Sequence, residues 1–308
     1  MKSKARIVVV GSINMDMVIN SPTLPVKGET ILGEDYFTVP GGKGANQAVA
    51  ASRLGAHVVM FGCLGQDQFG QQLLQHLQNE GIVTDNITVL EESPTGVAFI
   101  PVTPSGDNCI VVSPGANMRL TPQHIEQGEE IIKNADVLMV QLEIPMETVR
   151  TALQIAKKHN VITILNPAPA KALSNDIYQL TDIITPNETE GSLLAAGNVQ
   201  QSLSAEAIMS ELSQSGVGKV LLTRGGDGVV YQDDNGISVV PACKVEVVDT
   251  TAAGDACNAA LAVALAEKLN FPEAVEFAVK TSALSVTKAG AQTSLPYRDE
   301  VERFICQL

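Results

Sequence analysis

Apolar positions along this chain follow two rhythms. Short unbroken runs recur in "RIVVVGSIN", "HVVMFGCLG", "ADVLMVQLE", "VITILN", "DIITPN" and "GKVLLT", the mark of strands buried on both faces. Between them lie segments with helical spacing. "GANQAVAASRLG" turns Ala48, Ala51 and Leu54 to one side and stops at Gly55. "DQFGQQLLQHLQNEG" starts at Asp67 and stops at Gly81, and "METVRTALQIAKKHN" turns Val149, Leu153 and Ile155 or Ala156 inward. Strands alternating with helices predict an α/β fold: a central, mostly parallel sheet flanked by helices on both faces, a Rossmann-type three-layer arrangement.

Two regions break the rhythm, Met15 to Val39 and Thr95 to Gly115, with Pro- and Gly-punctuated strand patterns and no helix. They predict a small β-sheet lid, formed by residues 14–40 and 95–115, inserted in a single α/β domain spanning 1–308. Ordinary surface hairpins are the alternative. No repeat and no long linker divides the chain.

Composition narrows the field. Of 308 residues, 45% are hydrophobic, enough for a sizeable core. The net charge of −14, without any block of like charges, excludes non-specific attraction to nucleic acid or an anionic membrane. Trp is absent, so base-stacking platforms are not expected. No apolar run approaches the roughly 18 residues of a membrane span. The cysteines, Cys63, Cys109, Cys243, Cys257 and Cys306, are odd in number and form no C-x-x-C. "MKSKARIVVVGS" reads as a strand and not as a secretory signal, so a reduced, cytoplasmic protein is expected.

In such sheets ligands bind beyond the carboxyl ends of the strands. The residues there are polar and acidic: Asn14 and Asp16, Glu143, Asn187 and Glu190, Thr223 to Gly228, and Asp249 to Asp255. "PGGKGANQA" sets Gly41, Gly42 and Gly44 before a helix, with Lys43 as a donor and Asn46 on the first turn. It is neither a P-loop nor a dinucleotide fingerprint, and reads as a ligand-contacting turn or a plain loop. Asn14 and Asp16 either grip hydroxyls or make a turn. Asn187 and Glu190 in "ITPNETE" suit a helix cap better than a hydrated Mg²⁺ site. "LLTRGGDGVVY" is equally a phosphate cradle at Thr223, Gly225, Gly226 and Gly228 or a hairpin turn.

The sharpest segment is "VVDTTAAGDACNAALAVALAEKL". Its small residues leave the N–H groups of Ala252, Ala253, Gly254 and Asp255 at a helix start, facing an anion. An acid at that place repels phosphate. Asp255 is therefore either a helix-start residue or a general base that takes the proton of a hydroxyl attacking a phosphoryl group.

"GGKGANQAVAA" and "DTTAAGDACNAAL" resemble the two signatures of the ribokinase family of sugar kinases, with "LNPAPA", "TPNETE" and "KAGAQTSLP" in that family's order. The resemblance covers almost the whole chain. It implies a ribokinase-like fold, a lid closing over the sugar, a homodimer joined through the lids, and ATP-dependent phosphorylation of D-ribose at O5. It assigns the sugar to Asn14, Asp16, Gly42, Lys43, Asn46, Glu143 and Asp255, the last as base. It assigns ATP to Asn187, Thr223, Gly225, Gly226, Gly228 and Gly254. Mg²⁺ would travel with ATP, with Glu190 in its outer shell. K⁺ would fall to Asp249, Thr251, Ser285, Lys288, Gly290 and Ser294.

The chain departs from the family's D-[TA]-F-x-G by carrying Ala256, Cys257, Asn258 and Ala259 after Asp255, which alters the packing behind the base. Val279 stands where relatives often have a polar residue near adenine, implying apolar contact with the purine. Cys257 is either a first-turn thiolate that ATP would shield from alkylation or an inert core residue. The alternative substrate is 2-deoxy-D-ribose or another sugar of the family. Asp255, Gly254 and Lys43 argue against a non-catalytic sugar sensor, and the missing G-x-G-x-x-G after the first strand argues against a dehydrogenase.

Overall fold

The computed structural model describes residues 4–197 and 203–307. Its strands are β1 (Arg6–Val10), β2 (Asn14–Asn20), β3 (Tyr36–Gly41), β4 (His57–Gly65), β5 (Val83–Leu90), β6 (Gly96–Val102), β7 (Val111–Ser113), β8 (Val137–Val140), β9 (Ile162–Leu165), β10 (Ile183–Ile184), β11 (Lys219–Thr223), β12 (Val229–Asp233) and β13 (Gly236–Val240). Nine of them form one sheet in the order β13-β12-β11-β10-β9-β8-β1-β4-β5. Pairing is parallel from β11 through to β5, and β12 and β13 are added antiparallel at one edge. The expected α/β architecture is present.

The strands' unbroken apolar runs follow from burial on both faces. Along β1, Ile7 and Val9 enter one core cluster while Val8 and Val10 enter the other, because successive side chains point to opposite sides. The first cluster includes residues of helices Lys43–Arg53, Gln68–Asn79, Ala253–Ala266 and Phe271–Ser285. The second includes residues of Met146–Lys158 and Ala205–Gln214. Asp67 starts the Gln68–Asn79 helix as expected, its carboxylate accepting from Gly70 N at 2.8 Å.

The remaining four strands form a separate sheet in the order β3-β2-β6-β7. β2 leaves the end of β1 across only Gly11, Ser12 and Ile13, then pairs parallel with β6 and antiparallel with β3. Tyr36, Phe37, Phe99 and Val111 of this small sheet are exposed.

Helices Lys43–Arg53 and Ala253–Ala266 pack against each other. Their buried residues are mostly alanine, and methyl-sized side chains place helix axes near the short end of the usual ~8–10 Å spacing. The start of the first helix lies against the β1–β2 turn. Ala45 N donates to Ser12 O at 2.9 Å. A Cβ added at Gly44 would sit 2.6 Å from Gly11 C and Ser12 N, both backbone atoms. Gly44→Ala is therefore expected to destabilise the protein by about 1–3 kcal/mol, as overpacking does. Gly226→Ala, with no atom within 4 Å of its added Cβ, should leave the melting temperature unchanged. Thermal unfolding of the two variants checks this, and an equal response would remove the close-approach argument.

Candidate active site

Asp255 lies on the first turn of the Ala253–Ala266 helix and is only 6% exposed. Both its oxygens are held from the neighbouring helix. Asn46 Nδ2 donates to Oδ2 at 2.9 Å and Gln47 Nε2 donates to Oδ1 at 3.0 Å. The amides are oriented by further amides: Gln292 Nε2 donates to Asn46 Oδ1 at 3.1 Å, and Gln141 Nε2 donates to Gln47 Oε1 at 2.6 Å.

The small sheet supplies the facing wall. Asn14 Oδ1 accepts from Asn117 Nδ2 at 2.7 Å, and Asn117 also pins both backbone groups of Ile13. Asp16 shares the face of β2 with Asn14, two residues on. Its carboxylate lies where a Cβ at Gly41 would be 2.1 Å away, so the glycine makes room for it. Gly42, with φ of 89°, turns the chain from β3 into the helix. Glu143 Oε2 accepts from the Ser12 hydroxyl and from Lys43 N at 3.2 Å. Among the described residues, neither the Asp16 carboxylate nor Lys43 Nζ has a hydrogen-bond partner. The structure thus brings Asn14, Asp16, Gly42, Lys43, Asn46, Glu143 and Asp255 to one place.

Charge is concentrated there. Burial, then the charges of Glu143 and Asp255, push Asp16 up to about 7 against the pull of Lys43. Burial likewise raises Asp255, outweighing Lys43 and the two amide donors. Burial also raises Glu190, although Asn187 N–H and Lys43 oppose it. Burial works against the Lys43 ammonium, but Asp255, Glu143, Glu190 and Asp16 together raise its pKa.

At the helix start Ala252 is left-handed, with φ of 60°. The N–H groups of Ala252, Gly254 and Asp255 have no acceptor among the described residues. Ala253 differs from expectation: its N–H donates to Thr250 O at 3.2 Å, because the tight turn folds that carbonyl back onto it. Asn258 Nδ2 braces Gly254 O at 2.8 Å, and Thr185 Oγ1 donates to Asn258 Oδ1 at 2.6 Å.

The other expected groups lie on neighbouring elements. Asn187 and Glu190 form a reciprocal capping box on the Glu188–Ala196 helix, at 2.8 and 2.9 Å. Thr223 bridges Asn187, and Gly225, Gly226 and Gly228 form the turn of the β11–β12 hairpin. Added Cβ atoms at Gly225, Gly226 and Gly254 would meet open space. Asp249 accepts from Thr251 N and Oγ1 at 2.9 and 2.6 Å and from Gly290 N at 2.8 Å, joining two loops. Ser285 and Ser294 hydroxyls donate to local carbonyls, and Lys288 Nζ is engaged by Glu300 at 2.7 Å.

Cys257 is not a thiolate. It is buried, and burial pushes its thiol up to about 12, overriding any help from the helix terminus. Val279 is buried in the Phe271–Ser285 helix. Sequence reasoning missed Gln47, Gln141, Gln292 and Asn117. For Gln47 a signal existed: it is a polar side chain on a helix turn otherwise lined with alanine.

The chain matches the model of the pfkB family of carbohydrate kinases over residues 4–298. It is 43% identical to a ribokinase of Haemophilus influenzae, over 96% of this chain and 97% of that one. A deoxyribokinase of Salmonella typhi is 33% identical, over 97% and 98%. The crystal structure of ribokinase from Thermotoga maritima superposes with a TM-score of 0.89 at 38% identity, covering 99% of this chain and 100% of that one. The Arabidopsis thaliana ribokinase complexed with ribose and ATP does so at 0.90 and 32%, covering 98% and 99%.

The buried acids have a consequence for stability. A carboxylate whose pKa is raised by folding keeps its proton in the folded state while the unfolded chain releases it. Stability is therefore lost as pH rises from the ordinary carboxylate range, about 4, to about 7 for Asp16. Asp16→Asn should melt higher than the parent protein, with the gap wider at about pH 8 than at about pH 5.5. Melting curves at both pH values decide this; a variant no more stable at the higher pH contradicts it.

Proposed function

The chain belongs to the pfkB family of carbohydrate kinases, and on that premise we propose that it transfers the γ-phosphoryl group of ATP to the 5-hydroxyl of D-ribose, with Asp255 as general base. The observation that carries this reading is the Asp255 carboxylate itself, buried, clamped by two neutral amides and set beside the open N–H groups of Gly254 and its own backbone. Asp255 takes the proton from O5 as that oxygen attacks phosphorus, and ADP leaves. The N–H groups and Lys43 offset the charge on the transferring group.

Among the described residues the Asp16 carboxylate and Lys43 Nζ have no hydrogen-bond partner, so sugar hydroxyls are fit to satisfy them, together with Asn14, Asn46 and Glu143. A substrate missing one hydroxyl would leave a buried polar group unpaired, which discriminates strongly. Ribose is favoured over 2-deoxyribose because the relative named for ribose is the more similar of the two. ATP is assigned to Asn187, Thr223, Gly225, Gly226, Gly228 and Gly254, where the glycines leave room along the hairpin.

Among the described residues no three His, Cys, Asp or Glu side chains group as a metal site. Mg²⁺ would arrive on the phosphates with its water, and Glu190, held at the start of the Glu188–Ala196 helix, would lie beyond that water. The lone Asp249 carboxylate, with hydroxyl and carbonyl oxygens of Thr251, Ser285, Lys288, Gly290 and Ser294, suits a monovalent K⁺ instead. When bound, the ion supplies positive charge close to the anion-binding turn. The exposed apolar residues of the small sheet favour a lid that joins two copies as a homodimer. Among the described residues no helix is long and apolar enough to cross a membrane, and the proposed setting is the cytoplasm.

The test is the initial rate of ADP formation with Mg-ATP and K⁺, comparing D-ribose, 2-deoxy-D-ribose and D-fructose at equal low concentration. Ribose is expected to be fastest; a preference for another sugar overturns the substrate. Asp255→Asn should keep ATP binding and lose roughly 10²–10⁴-fold in kcat; near-parental turnover removes the base. Asp249→Ala should flatten the rise in rate with added K⁺; an unchanged K⁺ response takes Asp249 out of the ion site.

A further inference from the structure

The two amides that meet Asp255 are not equivalent. Asn46 belongs to the proposed sugar-contact set, whereas Gln47 is 1% exposed and lies behind the acid. Gln47 Nε2 donates to Asp255 Oδ1 at 3.0 Å and to Asn166 Oδ1 at 3.2 Å, while its Oε1 accepts from Gln141 Nε2 at 2.6 Å. Asn166 is fixed in turn by donating to Thr185 O at 3.2 Å. Gln141 is wholly buried, and its Oε1 has no partner among the described residues. That oxygen would lie 2.0 Å from a Cβ at Gly11. Side chains from the ends of β8 and β9 thus converge on one glutamine whose donor points at the acid. A layer of buried amides, one of them incompletely paired, is a costly way to fill a core. Apolar side chains would fill it more cheaply, so the layer's value lies in what it holds.

We infer that Gln47 is a positioning residue for phosphoryl transfer: by holding Asp255 Oδ1 from behind, it fixes the plane of the carboxylate so that Oδ2 faces the attacking hydroxyl. The inference rests on the reading of Asp255 as the base. One anchored oxygen lets a carboxylate swing; two anchored oxygens leave a single orientation, and orientation is a large part of such catalysis. Gln47 also acts on proton affinity. Asp255 is faced by Lys43 and Asn46 from Gln47's own helix, by Glu143 after β8, by Asp16 on β2 and by Glu190 on the Glu188–Ala196 helix. Burial and the three acids favour the protonated form, whereas Lys43 and the two amides favour the ionised one. Only the ionised form accepts a proton.

Gln47→Met tests this, through the pH profile of kcat with ribose and Mg-ATP and through KM for ATP. The expected result is a loss of about 10–10²-fold in kcat. The acid limb should move up by about one pH unit, because one donor to the ionised form is gone. KM for ATP should stay within about twofold, since no ATP contact is assigned to Gln47. Gln141→Leu removes a partner of Gln47 but neither donor on Asp255 and should move the acid limb less than Gln47→Met does, a split that mere loosening of the core would not produce. If Gln47→Met does not fold, Gln47→Leu removes the same donor with a shorter neutral side chain and should move the limb the same way. A folded Gln47 variant with parental kcat and an unmoved acid limb overturns the inference. Asp255→Asn, run alongside, separates the two failures. Retained turnover there removes the base and this inference with it, whereas lost turnover with a parental Gln47→Met profile removes the inference alone.

Discussion

The closeness of two helices governs this structure. Lys43–Arg53 and Ala253–Ala266 meet through faces built largely of alanine, and no larger residue would let an asparagine and a glutamine on one reach a carboxylate on the other. The same approach is transmitted to the sheet. Gly44 sits on the backbone of Gly11 and Ser12, so the first helix is referenced to the end of β1 and the second to the first. Three elements far apart in sequence thereby share one coordinate frame, and Asp255 stands at its origin.

Within that frame the electrostatics are deliberately unbalanced. One ammonium, Lys43, faces four carboxylates, two of which, Asp16 and Asp255, are buried. A core designed only to be stable would pair them or discard them. Here Asp16 keeps its carboxylate free of protein donors, and Asp255 receives neutral amides in place of a cation. An arginine in the position of those amides would hold the acid more firmly and leave it too weak to take a proton. The arrangement sacrifices some folding free energy for groups that a polyhydroxylated ligand can satisfy.

Much of this was legible in the sequence where a residue's type is tied to its backbone role. The run Ile7–Val10 read as a doubly buried strand because it is short, β-branched and closed by Gly11. Asp67 and Asn187 read as caps because those side chains satisfy donors that every helix start leaves open. The acids after the strands were expected to gather because open sheets place ligands there, and Asp16, Glu143 and Asp255 do lie together. Gln47, Gln141 and Gln292 were not legible, since glutamine has no preferred backbone setting and its value lies in partners 94 to 246 residues away. Cys257 was ambiguous for a related reason: a helix terminus favours a thiolate, burial forbids it, and only depth decides between them. The engaged N–H of Ala253 depends on the curl of a turn of small residues, which leaves no mark in their identities.

The two ends of the site differ in how they tolerate inserted or deleted residues. The proposed nucleotide side rests on the β11–β12 hairpin, at the antiparallel edge of the great sheet, where a longer turn adds little closure entropy. The proposed sugar side rests on the three residues between β1 and β2, pinned by Asn117. One extra residue there would turn Asn14 and Asp16 to the opposite face of their strand. Descendants of such a protein can change loop length freely at one end, but at the other they can alter specificity only by exchanging one side chain for another.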